Sequence, residues 1–227
     1  MRTQEKPSFV IGISSVSGGG KTVVTKRLAQ LLQDAITLCF DDYDNTNLHP
    51  ENRQIWLMEG ADYNVWKTPA LTEALRSLKS GKAITSPVDG SKISPARFIV
   101  FDAPLGRAHF DTGRFIDFMV FIDTPLDVAM ARRLLRDIPR EAEQGAEETI
   151  ESLKTNLASY LNGGRLLYLQ FQHQIKERCD LILDGCLSVD ELAGAIYTRI
   201  KQCQSNQVLD GGEGSSDNPC GLPADKE

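Results

Sequence analysis

The sequence predicts an α/β fold, a three-layer sandwich around a five-stranded parallel sheet. Three observations carry this. Five short apolar runs, "SFVIGIS", "AITLCF", "RFIVFDAP", "DFMVFIDTP" and "CDLILD", recur along the chain. The leading runs are continuous rather than alternating, as strands buried on both faces are. Stretches with apolar residues at helical spacing separate them, which calls for crossover connections and parallel pairing. The 227 residues suffice for one substantial core and a small appended lobe.

Taken in order, "SFVIGIS" is the first strand and "TVVTKRLAQLLQD" the first helix. "AITLCF" is the second strand, and "PALTEALRSLKSG" a helix with Gly81 just past its end. "KAITSPVDGSKIS" reads as a small hairpin turning at Asp89-Gly90. Two buried strands follow, then the helix "PLDVAMARRLLRDI", opened by Pro125. The polar interval "PREAEQGAEE" interrupts the apolar pattern, and one long helical stretch then runs to about Glu177. "CDLILD" is the last strand and "SVDELAGAIYTRIKQ" the last helix, with Ser188 as its N-cap. The domain spans residues 1–203. The stretch 204–227 has no apolar period and reads as a disordered acidic tail.

Net charge is −6, but the tail carries five acids against one base, which leaves the body at −2. The body therefore offers no basic footprint for nucleic acid. No apolar run is long enough to span a bilayer. Five cysteines lie scattered without CxxC spacing, which points to a reducing, cytoplasmic setting rather than a disulfide framework.

Ligands of parallel sheets bind at the carboxyl ends of the strands. The first such end reads Ser15-Val16-Ser17-Gly18-Gly19-Gly20-Lys21-Thr22. It fits the phosphate-binding pattern GxxxxGK[ST] except that Ser15 replaces the first glycine. The segment Ser17 to Val23 would wrap ATP phosphates with backbone amides and the positive end of the helix. Lys21 would reach the β- and γ-phosphates, and the Thr22 hydroxyl would hold Mg2+. The competing view is a glycine-rich turn with a surface lysine.

After the second strand comes "FDDYD". Asp41 is first off the strand and is the candidate base that takes a proton from an attacking hydroxyl. Asp42 and Asp44 read as turn residues or water-mediated metal contacts. Asp102 ends "FIVFD" and is a second metal candidate. In "ARRLLRDIPR", Arg132 and Arg136 share a helix face at i and i+4 and are candidates to neutralise charge on a transferring phosphoryl group. Arg133 points elsewhere, and Val128, Ala131, Leu135 and Ile138 make the buried side. A solvated basic face is the simpler alternative.

Together "IGISSVSGGGKT", "FDDYD", "FDAPLG" and "FIDTPLDVAMARRLLRDI" resemble the uridine kinase-like P-loop kinases. That group includes uridine/cytidine kinases, nicotinamide riboside kinases and phosphoribulokinase. The resemblance runs from about Phe9 to Ile200. It implies a P-loop NTPase sandwich with a helical lid at about 136–148 and an acceptor-side excursion at about 42–95. It also implies ATP and Mg2+ as cofactors, and ATP contacts at Lys21, Thr22, Arg132, Arg133 and Arg136. Asp41 takes the place of the family's base. Asp102 stands where the family has a glutamate. Uridine kinases carry a tyrosine and a histidine before the third strand, and "ITSPVDGSKISPARF" has neither. Asp62, Tyr63 and Trp66 in "EGADYNVWKTP" are the acceptor-side candidates, Asp62 resembling the acid that grips sugar hydroxyls. Trp66 would stack on a ring or anchor the adjoining helix.

The expected activity is transfer of the ATP γ-phosphate to a hydroxyl of a nucleoside or riboside-type small molecule. A P-loop regulator or NTPase without an acceptor is the alternative. Expected partners are the small-molecule acceptor and, as an open option, further copies of the chain.

Overall fold

The computed structural model describes residues 7–51, 55–56, 59–141 and 145–209. Its strands are β1 (Phe9–Ser14), β2 (Ala35–Cys39), β3 (Ile84–Thr85), β4 (Lys92–Ile93), β5 (Phe98–Asp102), β6 (Phe118–Asp123) and β7 (Leu181–Asp184). β3 and β4 form an antiparallel hairpin, turned at Gly90 with φ 71°. The other five form the expected parallel sheet, in the order β2-β5-β1-β6-β7.

Side-chain alternation along each strand divides the core. On one face Ile11, Ile13, Val100 and Val120 pack against Val24 and Leu28 of α1 (Lys21–Leu32) and against Ile196 and Ile200 of the last helix. On the other face Val10, Phe101, Met119 and Phe121 meet Leu71, Leu75 and Leu78 of α2 (Pro69–Lys79), and Ile175. Each such side chain contributes ~1.5–3 kcal/mol when fully buried. The central strands β5, β1 and β6 are buried on both faces, which is why their sequence runs are apolar without alternation, whereas the edge strands β2 and β7 are only partly buried.

The register brings the strand ends to one edge. Ile13 of β1 aligns with Asp102 of β5, and Cys39 of β2 aligns with Asp102 as well. The loop after β1, the carboxylate ending β5 and the acidic turn after β2 therefore emerge side by side.

Further helices are α3 (Phe110–Gly113), α4 (Leu126–Glu141), α5 (Ala146–Ser159), α6 (Arg165–Lys176) and α7 (Val189–Leu209). Three of the sequence expectations need correction. α4 continues through Pro139 to Glu141, with the proline inside its last turn, where it lacks the N–H that would meet the Leu135 carbonyl. The long stretch beyond it is two helices, bent at Tyr160–Gly164, where Gly163 has φ 120°. The run Asn162-Gly163-Gly164 permits that bend at little steric cost, although the apolar period continues across it. α7 extends to Leu209, so residues 204–209 prolong the helix instead of starting the tail. The rest of the expected tail, 210–227, lies outside the described residues, as do 142–144 of the expected lid. Among the described residues no helix is long and apolar enough to cross a membrane.

Candidate active site

β1 feeds the glycine loop and α1 begins at Lys21 behind Gly20, which offers no side-chain cap, so the loop and the first N–H groups of the helix present donors to an anion. The Gly19 N–H donates to the Val16 carbonyl at 2.9 Å and curls the loop. Gly18 has φ 83°, and a β-carbon there would collide with the Ala129 carbonyl of α4. The loop and α4 are thus in backbone contact.

Ser15 is absorbed into this geometry. Its hydroxyl is buried and donates to the Ile122 carbonyl at 2.8 Å, tying the loop to β6. The room comes from Gly19, where a β-carbon would overlap the Ser15 hydroxyl. Thr124 adds a second tie, its hydroxyl donating to the Gly19 carbonyl at 3.0 Å. The departure from the usual motif anchors the loop.

The Thr22 hydroxyl donates to Asp102 Oδ2 at 2.5 Å. Asp102 is only 4% exposed, and its Oδ1 has no hydrogen-bond partner among the described residues. Burial holds its carboxyl above the ordinary carboxylate range; Lys21 and the Thr22 hydroxyl pull it down, while Asp41 and Asp42 push it up. A buried carboxylate oxygen without a partner, next to a hydroxyl, is an oxygen donor set that fits Mg2+. Such an ion needs few protein oxygens and takes the rest from phosphates and water. Among the described residues no cluster of three or more His, Cys, Asp or Glu could hold a metal unaided.

Off β2, residues Asp41–Thr46 form a 3₁₀ turn. Phe40 and Tyr43 are buried and root it in the core, which leaves Asp41 and Asp42 exposed. The two acids differ in surroundings. Partial burial, then the Asp41 charge, raises the Asp42 carboxyl against the pull of Lys26 on α1. Asp41 acts on Asp102 and, across the cleft, on Arg136.

The arginines of α4 are arranged differently from the expectation. Arg132 donates to the Gly185 carbonyl at 3.1 Å and so turns toward the β7–α7 connection. Arg133, expected to point elsewhere, has its Cβ 3.3 Å from a β-carbon built on Gly18, and its guanidinium donates to the Tyr168 hydroxyl at 2.7 Å. Arg136 bonds Asp137, which is the main reason it sits above its ordinary value, with Asp41 and Tyr168 adding to the effect. The site-facing pair is Arg133 and Arg136, spaced i and i+3. The cause is the contact of Ala129 with the loop: Ala129 is buried and Leu135 is 74% exposed, so α4 is rotated from the face its apolar residues suggest.

On the acceptor side, Asp62 caps a short turn, its Oδ1 accepting from Asn64 N at 2.9 Å and Nδ2 at 2.8 Å. Tyr63 is buried, edge-on to Trp56 at 5.4 Å and to Phe171 at 6.1 Å, and burial pushes its hydroxyl up to about 12. Trp66 packs inside this arm, edge-on to His49 at 4.6 Å, which supports the anchoring role over stacking on a ligand. Its carbonyl faces His109 Nε2 at 3.0 Å. A carbonyl only accepts, so Nε2 carries the proton, and Nδ1 accepts from the Thr112 hydroxyl at 2.8 Å. His109 is fully buried, and burial lowers its basicity.

His109, Tyr168, Trp56 and Phe171 were not among the sequence candidates. The i, i+3 spacing of Tyr168 and Phe171 marks a shared helix face, but core packing predicts the same spacing.

A family model described as the phosphoribulokinase/uridine kinase family matches residues 10–163. The uridine kinase of Brevibacillus brevis is 30% identical over 191 residues, covering 77% of this chain and 83% of that protein. The uridine kinase of Chlamydia pneumoniae is 24% identical over 214 residues, covering 88% and 92%. A solved structure from Bacillus stearothermophilus, described as a possible uridine kinase, is similar with a TM-score of 0.47 at 20% identity, covering 81% of this chain and 92% of that one.

Proposed function

The chain belongs to the phosphoribulokinase/uridine kinase family and is an ATP-dependent phosphotransferase, and we propose that its acceptor is a hydroxyl of a nucleoside or riboside-type molecule. One observation supports this most: Lys21, the Thr22–Asp102 pair and an exposed Asp41 share one sheet edge under α4.

The loop amides and the start of α1 bind the phosphates, and Lys21 neutralises charge at the γ position. Thr22 and Asp102 would hold Mg2+, which when bound offsets the phosphate charge. Asp41 accepts the proton of the acceptor hydroxyl as its oxygen bonds to the γ-phosphorus and the bond to the β-phosphate oxygen breaks. Arg133 and Arg136 meet the charge that spreads over the phosphoryl oxygens in transit. α4 and α5 act as the lid that excludes water from the cleft. The regulator alternative would leave Asp41 without a proton to accept.

The test is an ATP-consumption screen over nucleosides, ribosides, vitamins and sugar alcohols. The expected result is a rate that rises with one nucleoside or riboside class. A rate that no acceptor changes, with only inorganic phosphate formed, would favour the regulator or NTPase.

A further inference from the structure

We propose that Tyr168 is a positioning residue for phosphoryl transfer, its hydroxyl holding the Arg133 guanidinium over the glycine loop without neutralising it. This rests on the kinase reading and adds to it a residue of α6, outside the lid, that acts through an arginine inside it.

The arginines of α4 stand in different states. Arg132 and Arg136 are exposed, whereas Arg133 is half-buried. Arg132 is turned to the Gly185 carbonyl, and Arg136 is paired with the Asp137 carboxylate at 2.7 Å. Arg133 instead meets neutral groups, the Tyr168 hydroxyl at 2.7 Å and the Met130 sulfur at 3.5 Å. The difference matters for chemistry. A carboxylate beside a guanidinium offsets the charge that a phosphoryl group in transit has to meet. A phenol oxygen accepts from the guanidinium and leaves its charge whole. The guanidinium carbon lies 6.0 Å from the centre of the Tyr168 ring, the outer limit of a cation–π contact, so the hydroxyl carries the restraint.

Tyr168 is itself fixed. It is half-buried, and the Tyr160 ring tilts against it at 6.1 Å from the other side of the bend at Tyr160–Gly164. Positions so spaced would stand ~12 Å apart along one straight helix, so the bend is what lets the rings meet. Tyr160, Tyr168 and Arg133 close a gap of only about 10 Å³ against Val16, Ser17 and Ala129. A space that small holds one water molecule at most, so Arg133 has little room to swing off the loop.

The bond also crosses between elements. Arg133 lies on α4, the first helix of the lid, and Tyr168 on α6, just past the lid. α6 is rooted in the core by Ile175, so Tyr168 refers the arginine to the body of the fold. A long side chain loses rotamer freedom when it engages a ligand. Here that loss is taken before phosphate arrives, which is how a preorganised donor differs from a mobile one. One N–H of Nη1 goes to Tyr168, and the rest of the guanidinium's five donors are left for Met130 and for phosphate oxygens.

Tyr168→Phe keeps the ring against Tyr160 and removes only the accepting oxygen. With the acceptor found by the screen, kcat should fall roughly tenfold, less than the ~10²–10³-fold expected for Arg133→Ala, with both KM values kept within about twofold. Added to Arg133→Ala, Tyr168→Phe should lower kcat no further, because the group it positions is already gone. A purely structural role would multiply the two losses. The proposal is overturned if they multiply or if Tyr168→Phe leaves kcat unchanged. It is also overturned if the variant raises the acceptor KM with kcat preserved, which would make Tyr168 an acceptor contact. A measurement on the wild type covers the case in which Tyr168→Phe does not fold. NMR relaxation of the arginine Nε–H groups in the nucleotide-free protein should give Arg133 an order parameter above ~0.6, the boundary of flexible groups. A value below that boundary would overturn the proposal by itself. Failure of the kinase reading would appear separately, as absence of phosphoryl transfer from the wild type to any acceptor.

Discussion

Asp102 and Arg133 are single residues whose surroundings set their work. Asp102 carries a buried carboxylate oxygen without a hydrogen-bond partner among the described residues, the position that the proposed Mg2+ would fill. Its carboxyl is raised in the folded chain, so the folded state holds that proton more tightly than the unfolded one. Its effect on stability is therefore most favourable below the ordinary carboxylate value and declines as pH rises through the raised one. Asp102→Asn removes the buried charge. The nucleotide-free variant should melt higher at neutral pH, by ~2–4 °C for each kcal/mol relieved, and lose Mg2+-dependent turnover. A lower melting temperature at every pH would contradict this. For the arginines, Arg133→Ala should cut kcat ~10²–10³-fold, the worth of one preorganised donor to a transition state, and Arg132→Ala should cost clearly less. Equal losses, measured by initial rates at saturating ATP, would restore Arg132 to the site.

At the scale of elements, the glycine loop and the acceptor arm are each held by buried polar contacts. Gly19→Ala should distort the loop, costing ~1–3 kcal/mol of stability and weakening ATP binding, because the new methyl meets the Ser15 hydroxyl. Ser15→Gly in the same chain should recover part of that loss, since the Val16 carbonyl still crowds the position. Calorimetry and nucleotide titration of the single and double variants measure the coupling, and strict additivity would refute it. In the arm, His109 is neutral between Trp66 and Thr112, with Asp111, Lys67 and Asp62 as its charged neighbours. Burial lowers its pKa below the ordinary 6.5. Its stabilisation is thus full above that value and is lost as pH falls toward the depressed one. His109→Gln keeps a donor for the Trp66 carbonyl without titrating. Its melting temperature should vary less between pH 7 and 5 than the wild type's, and identical pH profiles would exclude His109 as the source.

For the molecule as a whole, the sheet, the phosphate loop and the acidic turn were legible because each is local. Buried strands announce themselves as apolar runs, and Gly18 to Thr22 follows one of them directly. The rotation of α4 was not legible, because it depends on Ala129 meeting Gly18 across the fold. The walls of the cavity between the acceptor arm and α5–α6 were hidden for the same reason, since Trp56 and the shared face of Tyr168 and Phe171 on α6 come from distant segments. The bend at Asn162-Gly163-Gly164 could have been read, but the apolar period on either side concealed it. All these parts serve one central claim, that γ-phosphate passes to an acceptor hydroxyl with Asp41 as base. Transfer of label from γ-labelled ATP, followed in the wild type and in Asp41→Asn with the acceptor found by the screen, tests it most directly. The wild type should place the label in a phosphate ester of the acceptor, and Asp41→Asn should bind ATP undiminished yet transfer ~10²–10⁴-fold more slowly, the usual worth of general base catalysis. Label appearing only as inorganic phosphate, or equal transfer rates in the two proteins, would contradict it.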